Sequence, residues 1–172
     1  MLIEFKGMRP EVSKAAFIAD SATISGNVKV GEDSSVWFGA VIRAEVDSIT
    51  IGNMSCVQDN VMLHADYDCP VTLGDRVSVG HNAIVHGAKV EDDVIIGMHA
   101  TVMNGAHIKK GSLIAAGALV KENTIIPERS LVAGVPGKIV RTLDEDTYQH
   151  ILDNSKVYVE DAKEYAKSPI VG

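Results

Sequence analysis

The sequence predicts a parallel β-helix followed by one C-terminal α-helix, and three observations predict it. An aliphatic residue recurs every six positions, longest in the run Val90, Ile96, Val102, Ile108, Ile114, Val120, Ile126, Val132. Glycine often follows it, as in Val30-Gly31, Ile51-Gly52, Leu73-Gly74 and Ile96-Gly97. The hexads stop near Pro136-Gly137, and a three-to-four spacing of apolar residues takes over. A fixed short period identifies a repeat architecture. Six residues suit neither an amphipathic helix nor an alternating strand. They suit short extended pieces joined by turns, three to a triangular coil of about 18 residues, with neighbouring coils about 4.8 Å apart.

From the N-terminus, Met1 to Pro10 is interrupted by Glu4 and Lys6 and lacks a signal peptide's apolar core. The first hexads are Val12, Ile18, Ile24, Val30, Val36, Ile42, then Ile51, Val57, Leu63, then Leu73, Val79, Val85. Gly26-Asn27, Gly31-Glu32, Gly52-Asn53 and Gly74-Asp75 mark corners. The register slips between Ile42 and Ile51, Leu63 and Leu73, and Val85 and Val90. Insertions in a solenoid leave its side as loops, so Val46–Ser48 and Asp66–Pro70 are expected loops. The β-helix is assigned residues 1–140. Residues 141–172 form a helical segment packing on it or on a neighbouring subunit. Thr142 with Glu145 reads as a capping box, and Asn154-Ser155 as a point where the helix could break.

The chain is 172 residues long with net charge −7, which argues against nucleic-acid or anionic-membrane partners. No apolar stretch approaches the roughly 20 residues of a membrane span. A cytoplasmic location is the default expectation, and Cys56 and Cys69 read as free thiols.

The hexad gives each histidine an address. His64 follows inward Leu63 and His86 follows inward Val85, three inward steps later. They therefore share a face on adjacent coils, with Arg43 one coil earlier. His81 lies two past Val79, on another side, above Asp59 and beside Gln58. One chain should not bring His81 to a metal shared by His64 and His86. A neighbouring chain can, if identical edges meet in a cyclic trimer. Three imidazoles with an open position form a catalytic metal site, suited to zinc, with Fe2+ or Co2+ as alternatives. His99, His107 and His150 share no such address and read as solvated or hydrogen-bonded.

Val41-Ile42-Arg43-Ala44-Glu45, Val57-Gln58-Asp59-Asn60, Leu63-His64, the stretch Val79 to Ala88 and the tail Ala133-Gly134-Val135-Pro136-Gly137-Lys138 resemble the gamma class of carbonic anhydrases and related hexapeptide-repeat proteins of the isoleucine-patch type. The resemblance covers essentially the whole chain. It implies a left-handed β-helix, a homotrimer and a metal at each subunit interface, held by His64, His86 and the adjacent subunit's His81. It implies that Arg43 and Asp59 are an ion pair knitting subunits together and that Gln58 orients the nucleophile or carbon dioxide. Glu45 takes a position usually held by Asp, and the resemblance implies that Tyr158 lines the site from the helix, whereas its spacing reads as part of the helix's core stripe. The implied activity is reversible hydration of carbon dioxide to bicarbonate by a metal-bound hydroxide. Val46 stands where the best-studied form has a glutamate, and the acidic loop after His64 is short, with only Asp66 and Asp68 to take up a proton. A slow enzyme is therefore expected. The competing readings are a coenzyme-A-dependent acyltransferase or thioesterase on the same fold, and a non-enzymatic metal or iron-chelate binder or activator.

Overall fold

In a computed structural model that describes residues 1–169, the chain winds into the expected left-handed parallel β-helix of about seven turns, followed by a single helix. The last three residues of the expected 141–172 segment lie outside the described residues. Three faces run the length of the prism. One stacks Thr23–Val30 and Val41–Ile51 by their first halves, then Met62–His64, Ile84–His86, Thr101–Val102 and Leu119–Val120. The second stacks the other halves of those two long strands, then Val71–Leu73, Lys89–Val90, His107–Ile108 and Ile125–Ile126. The third runs from Phe17–Ile18 through Ser35–Val36, Cys56–Val57, Ser78–Val79, Ile95–Ile96 and Leu113–Ile114 to Ser130–Ala133.

The pairing follows the hexad count: Leu63 lies opposite Ile42 and Val85, and Val79 opposite Val57 and Ile96. These aliphatic residues fill the prism, and Ile24, Ile42, Leu63, Ile96 and Ile114 are wholly buried. Each such side chain contributes roughly 1.5–3 kcal/mol on leaving water. No coil could shield its column alone, so the repeat and the stability are one property. Corners are tight left-handed turns. One column of positive φ runs Gly39, Asn60, Asn82, His99, Gly117, residue types that tolerate this region better than most. At another corner, backbone N–H groups of Glu32, Asn53 and Asp75 donate to the side-chain oxygens of Asn53, Asp75 and Asp92 one coil on, at 2.8–3.0 Å.

The register slips resolve differently. Asp66 to Cys69 closes as a small hairpin, as a loop should. Val46–Ser48 stays extended instead: Gly26 pairs with Ala44 and Val28 with Ile49, so the extra residues are absorbed as a bulge within one long strand. An unexpected strand, Leu2–Ile3, pairs with Ile24 and Ser25.

The β-structure continues just past residue 140, in Lys138–Thr142, which pairs antiparallel with Ser130–Ala133. The helix is Glu145–Tyr165. Its cap is Asp144 rather than Thr142: the Asp144 carboxylate accepts from the Thr147 backbone N–H at 2.9 Å. Thr142 is still in the strand, so it is unavailable as a cap. Asp144→Ala should lower the melting temperature, because it leaves the Thr147 backbone N–H without its cap. Nor does Asn154-Ser155 break the helix. Ser155 is buried and its hydroxyl bonds to the Leu152 carbonyl at 2.9 Å, while Asn154 accepts from the Ser78 hydroxyl at 2.6 Å. The buried stripe Ile151, Ser155, Val159, Ala162 lies against the third face. No helix among the described residues is long and apolar enough to cross a membrane.

Candidate metal centre

Backbone pairing sets the histidine ladder. His86 lies opposite His64, and His64 opposite Arg43. Strand spacing holds the two imidazole centroids 4.8 Å apart and brings His64 Nδ1 to 2.8 Å from His86 Nε2. The outer nitrogens meet acceptors. His64 Nε2 lies 3.1 Å from Glu45 Oε1, and His86 Nδ1 is hydrogen-bonded to Asn104 Oδ1. Glu45 Oε1 also pairs with Arg43, whereas its buried Oε2 has no partner among the described residues. Burial first, then the Arg43 guanidinium and the His86 ring, holds the His64 pKa below the ordinary imidazole value. A neutral ring is the form that ligates metal.

Around the corner lies a second group. His81 Nδ1 pairs with Asp59 Oδ2 at 2.8 Å. The His81 backbone N–H donates to Gln58 Oε1 at 3.2 Å. Gln58 is only 6% exposed, and its Nε2 donates to Cys56 Sγ at 3.7 Å. The Cys56 thiol donates to the Ser78 hydroxyl at 3.3 Å, and Ser78 is tied to Asn154 of the helix. Burial pushes the Cys56 thiol up to about 11, against hydrogen bonds to Ser78 and Gln58, so it stays protonated. Tyr158 reaches down from the helix as one wall of a groove of about 210 Å³ that Gln58, His81 and Met98 also line. Burial, reinforced by Cys56, Asp59 and Asp161, pushes its phenol up to about 12, so it remains a hydroxyl.

The predicted residues thus fall into two groups. Arg43, Glu45, His64 and His86 stand on one face. Gln58, Asp59, His81 and Tyr158 stand at and beside the adjoining corner. Within one chain Arg43 pairs with Glu45 and Asp59 with His81, so Arg43 and Asp59 do not meet. No three metal-ligating side chains converge among the described residues. The donor chemistry nevertheless fits a divalent cation. His64 Nδ1 and His86 Nε2 face one another, and Glu45, whose buried second oxygen is orphaned, lies at the outer nitrogen of His64. The other histidines hold bland positions: His107 bonds Glu91 at 2.7 Å, His99 forms an exposed corner turn, and His150 is on the exposed side of the helix. Cys56 and Cys69 are free.

Sequence reasoning missed Asn104, which carries the outer nitrogen of His86. Its amide Nδ2 donates to Asp66 Oδ2 at 2.9 Å. Asp66 also accepts from the Tyr67 N–H, and that bond, with Asn104, holds its carboxyl below the usual range. It also missed Asp93, buried where the helix meets the prism. Asp93 accepts from Arg76 Nε at 2.6 Å and the Tyr148 hydroxyl at 2.8 Å, and pairs with Lys110 at 3.3 Å.

Fold and site together define a hexapeptide-repeat β-solenoid. Residues 70–102 and 88–122 match the family described as hexapeptide repeat of succinyl-transferase. A solved hexapeptide transferase family protein from Anaplasma phagocytophilum superposes with TM-score 0.92 at 32% identity, covering 95% of this chain and 97% of that one. Among curated relatives, "Probable carbonic anhydrase" of Methanocaldococcus jannaschii is 48% identical over 86% of this chain and 93% of its own length. "Carbonic anhydrase" of Geobacillus kaustophilus is 45% identical over 96% and 91%. The chain belongs to the gamma-carbonic-anhydrase-like family of hexapeptide-repeat proteins.

Proposed function

We propose that this protein catalyses the reversible hydration of carbon dioxide to bicarbonate, at a zinc site completed where edges of a homotrimer meet. His64 and His86 of one copy and His81 of the next would hold the ion, with Fe2+ or Co2+ as alternative occupants. The observation that carries this reading is the in-register pair of imidazoles with nitrogens 2.8 Å apart, in a chain 45% identical to a named carbonic anhydrase. When bound, the metal supplies Lewis acidity that brings the pKa of water from about 15.7 towards 7.

The chain's own groups do the rest. Gln58 is gripped at both ends, by the His81 N–H and by Cys56, so its amide presents a fixed polar group to the groove. Met98 and Ile95 give the same groove an apolar side suited to a small linear substrate. Tyr158 closes it from the helix. Because Gln58 and Tyr158 travel with His81, each composite site would draw its ligand pair from one copy and its substrate wall from another. Exposed Arg43 and half-buried Asp59, on the two halves, would then pair across the edge.

Stopped-flow hydration on zinc-, cobalt- and iron(II)-loaded protein tests this reading. The expected result is turnover above background that vanishes on chelation. Gln58→Ala should lower kcat/KM on the order of 10²-fold with metal content unchanged, the scale of a lost positioning contact. No turnover with any of the three metals, together with calorimetric binding of acetyl-coenzyme A, would instead place the chain with the transferases.

A further inference from the structure

We infer that Asn104 and Asp66 are positioning residues that set the tautomer of His86, so that its lone pair points at the lone pair of His64. The inference rests on the metal-site reading above but is argued from the free chain.

An imidazole beside an acceptor must place its proton on the nitrogen facing that acceptor. His86 Nδ1 faces Asn104 Oδ1. An amide can flip and present its NH2 instead, which would reverse the tautomer. Asp66 prevents the flip. Its carboxylate is an acceptor only, and it takes the Asn104 Nδ2–H at 2.9 Å. A flipped amide would set carbonyl oxygen against carboxylate. The Asp66 carboxylate is itself steadied by the Tyr67 backbone N–H at 2.8 Å. The order of control therefore runs from the Asp66–Cys69 hairpin to Asp66, to Asn104, to His86 Nδ1.

The other ring is set in the same way. Glu45 Oε1 faces His64 Nε2, so the proton of a neutral His64 sits there. Both inner nitrogens are then unprotonated and only 2.8 Å apart. Two facing lone pairs at that distance repel, and the repulsion is relieved by a proton shared between the rings or by a metal cation beside them. Outer partners of ligating histidines have this effect in general, and their loss costs about 10–100-fold in metal affinity. The register slip after Leu63 therefore has a structural task here, because the residues it adds form the hairpin that carries Asp66.

The test reads the tautomer directly, in zinc-free full-length protein labelled with 15N-histidine, by long-range proton–nitrogen correlation. Wild-type His86 should carry its proton on Nδ1. Asn104→Ala should move the ring towards a mixture with Nε2–H and weaken zinc binding, measured by competition with a chromogenic chelator, about 10–100-fold. Asp66→Ala, which lets the amide flip, should do the same in part. The exchange Asp66→Asn with Asn104→Asp keeps an oxygen facing His86 and should restore both readouts. Wild-type His86 protonated on Nε2, or single variants with unchanged tautomer and affinity, would overturn the inference. If wild type shows the Nδ1–H tautomer but binds no zinc, the metal reading fails while the tautomer assignment stands. A folding defect in Asn104→Ala leaves Asp66→Ala to decide.

Discussion

Replacing His86 with alanine should abolish metal retention and any carbon dioxide hydration together. The loss in affinity should exceed the roughly 10–100-fold cost of removing an outer partner, because His86 is proposed as a direct ligand. Main-chain pairing holds its ring over His64. The substitution should leave the coil intact: Val85 remains the buried residue of that strand, and the His86 side chain lies outside the prism. Metal content by elemental analysis, stopped-flow hydration and circular dichroism on one preparation separate these effects. Full metal content in a folded variant would remove His86 from the ligand set. Retained hydration after metal loss would end the case for a metal reaction.

The second large effect concerns Asp93. Its side chain is 2% exposed, and it ties Arg76 and Lys110 of the prism to Tyr148 of the helix. Arg129 stacks over the Tyr148 ring, 4.1 Å from its centroid, and bonds Glu145 at 2.8 Å, so the start of the helix is fastened at several points. Asp93→Asn removes the charge that compensates two partly exposed cations, and weakening these charge-assisted hydrogen bonds costs about 1.5–3 kcal/mol. A loss of that size lowers the melting temperature of a chain this long by about 3–12 °C. The effect depends on pH. Burial pushes the Asp93 carboxyl up, but its bonds from Arg76 and Tyr148, with Lys110 nearby, outweigh that and leave its pKa below the ordinary value. A carboxyl with a depressed folded-state pKa stabilises fully above its unfolded value, near 3.9, and loses that contribution as pH falls through the folded value. The gap between wild type and Asp93→Asn should therefore be widest above about pH 5 and narrow in acid. Equal melting temperatures at neutral pH would show that Asp93 does not fasten the helix.

Where the sequence was legible, it was so because the hexad converts position into direction. Counting inward residues from Ile42 to Leu63 to Val85 is enough to stack Arg43, His64 and His86, since pairing between coils leaves little freedom of register. The same count places Asp59 below His81. What it does not give is contact made by turn residues. Asn104-Gly105 looks like any corner pair, and its reach to His86 and Asp66 depends on the hairpin that the irregular spacing after Leu63 creates. Glu91-Asp92-Asp93 reads as a solvated acidic turn. It becomes a buried anchor only when Tyr148, 55 residues later, covers it. The capping error had a similar origin, because Thr142 has the right spacing to Glu145 but is taken by the last strand. Local pattern carries the coil, and long-range docking of the helix decides the rest.

The strand Lys138–Thr142 runs against the direction of every strand before it on its face. A stack of parallel rungs has no natural terminus: its last rung offers the same unsatisfied amides and carbonyls as every rung beneath it. Such a surface invites another molecule to continue the pile, the route by which open sheet edges lead to fibrils. A reversed final rung presents a hydrogen-bonding pattern that a parallel newcomer cannot match, with Lys138 and Arg141 adding charge to it. Polymerisation is thus discouraged at this end of the rod, and side-by-side association remains the open route by which copies can meet.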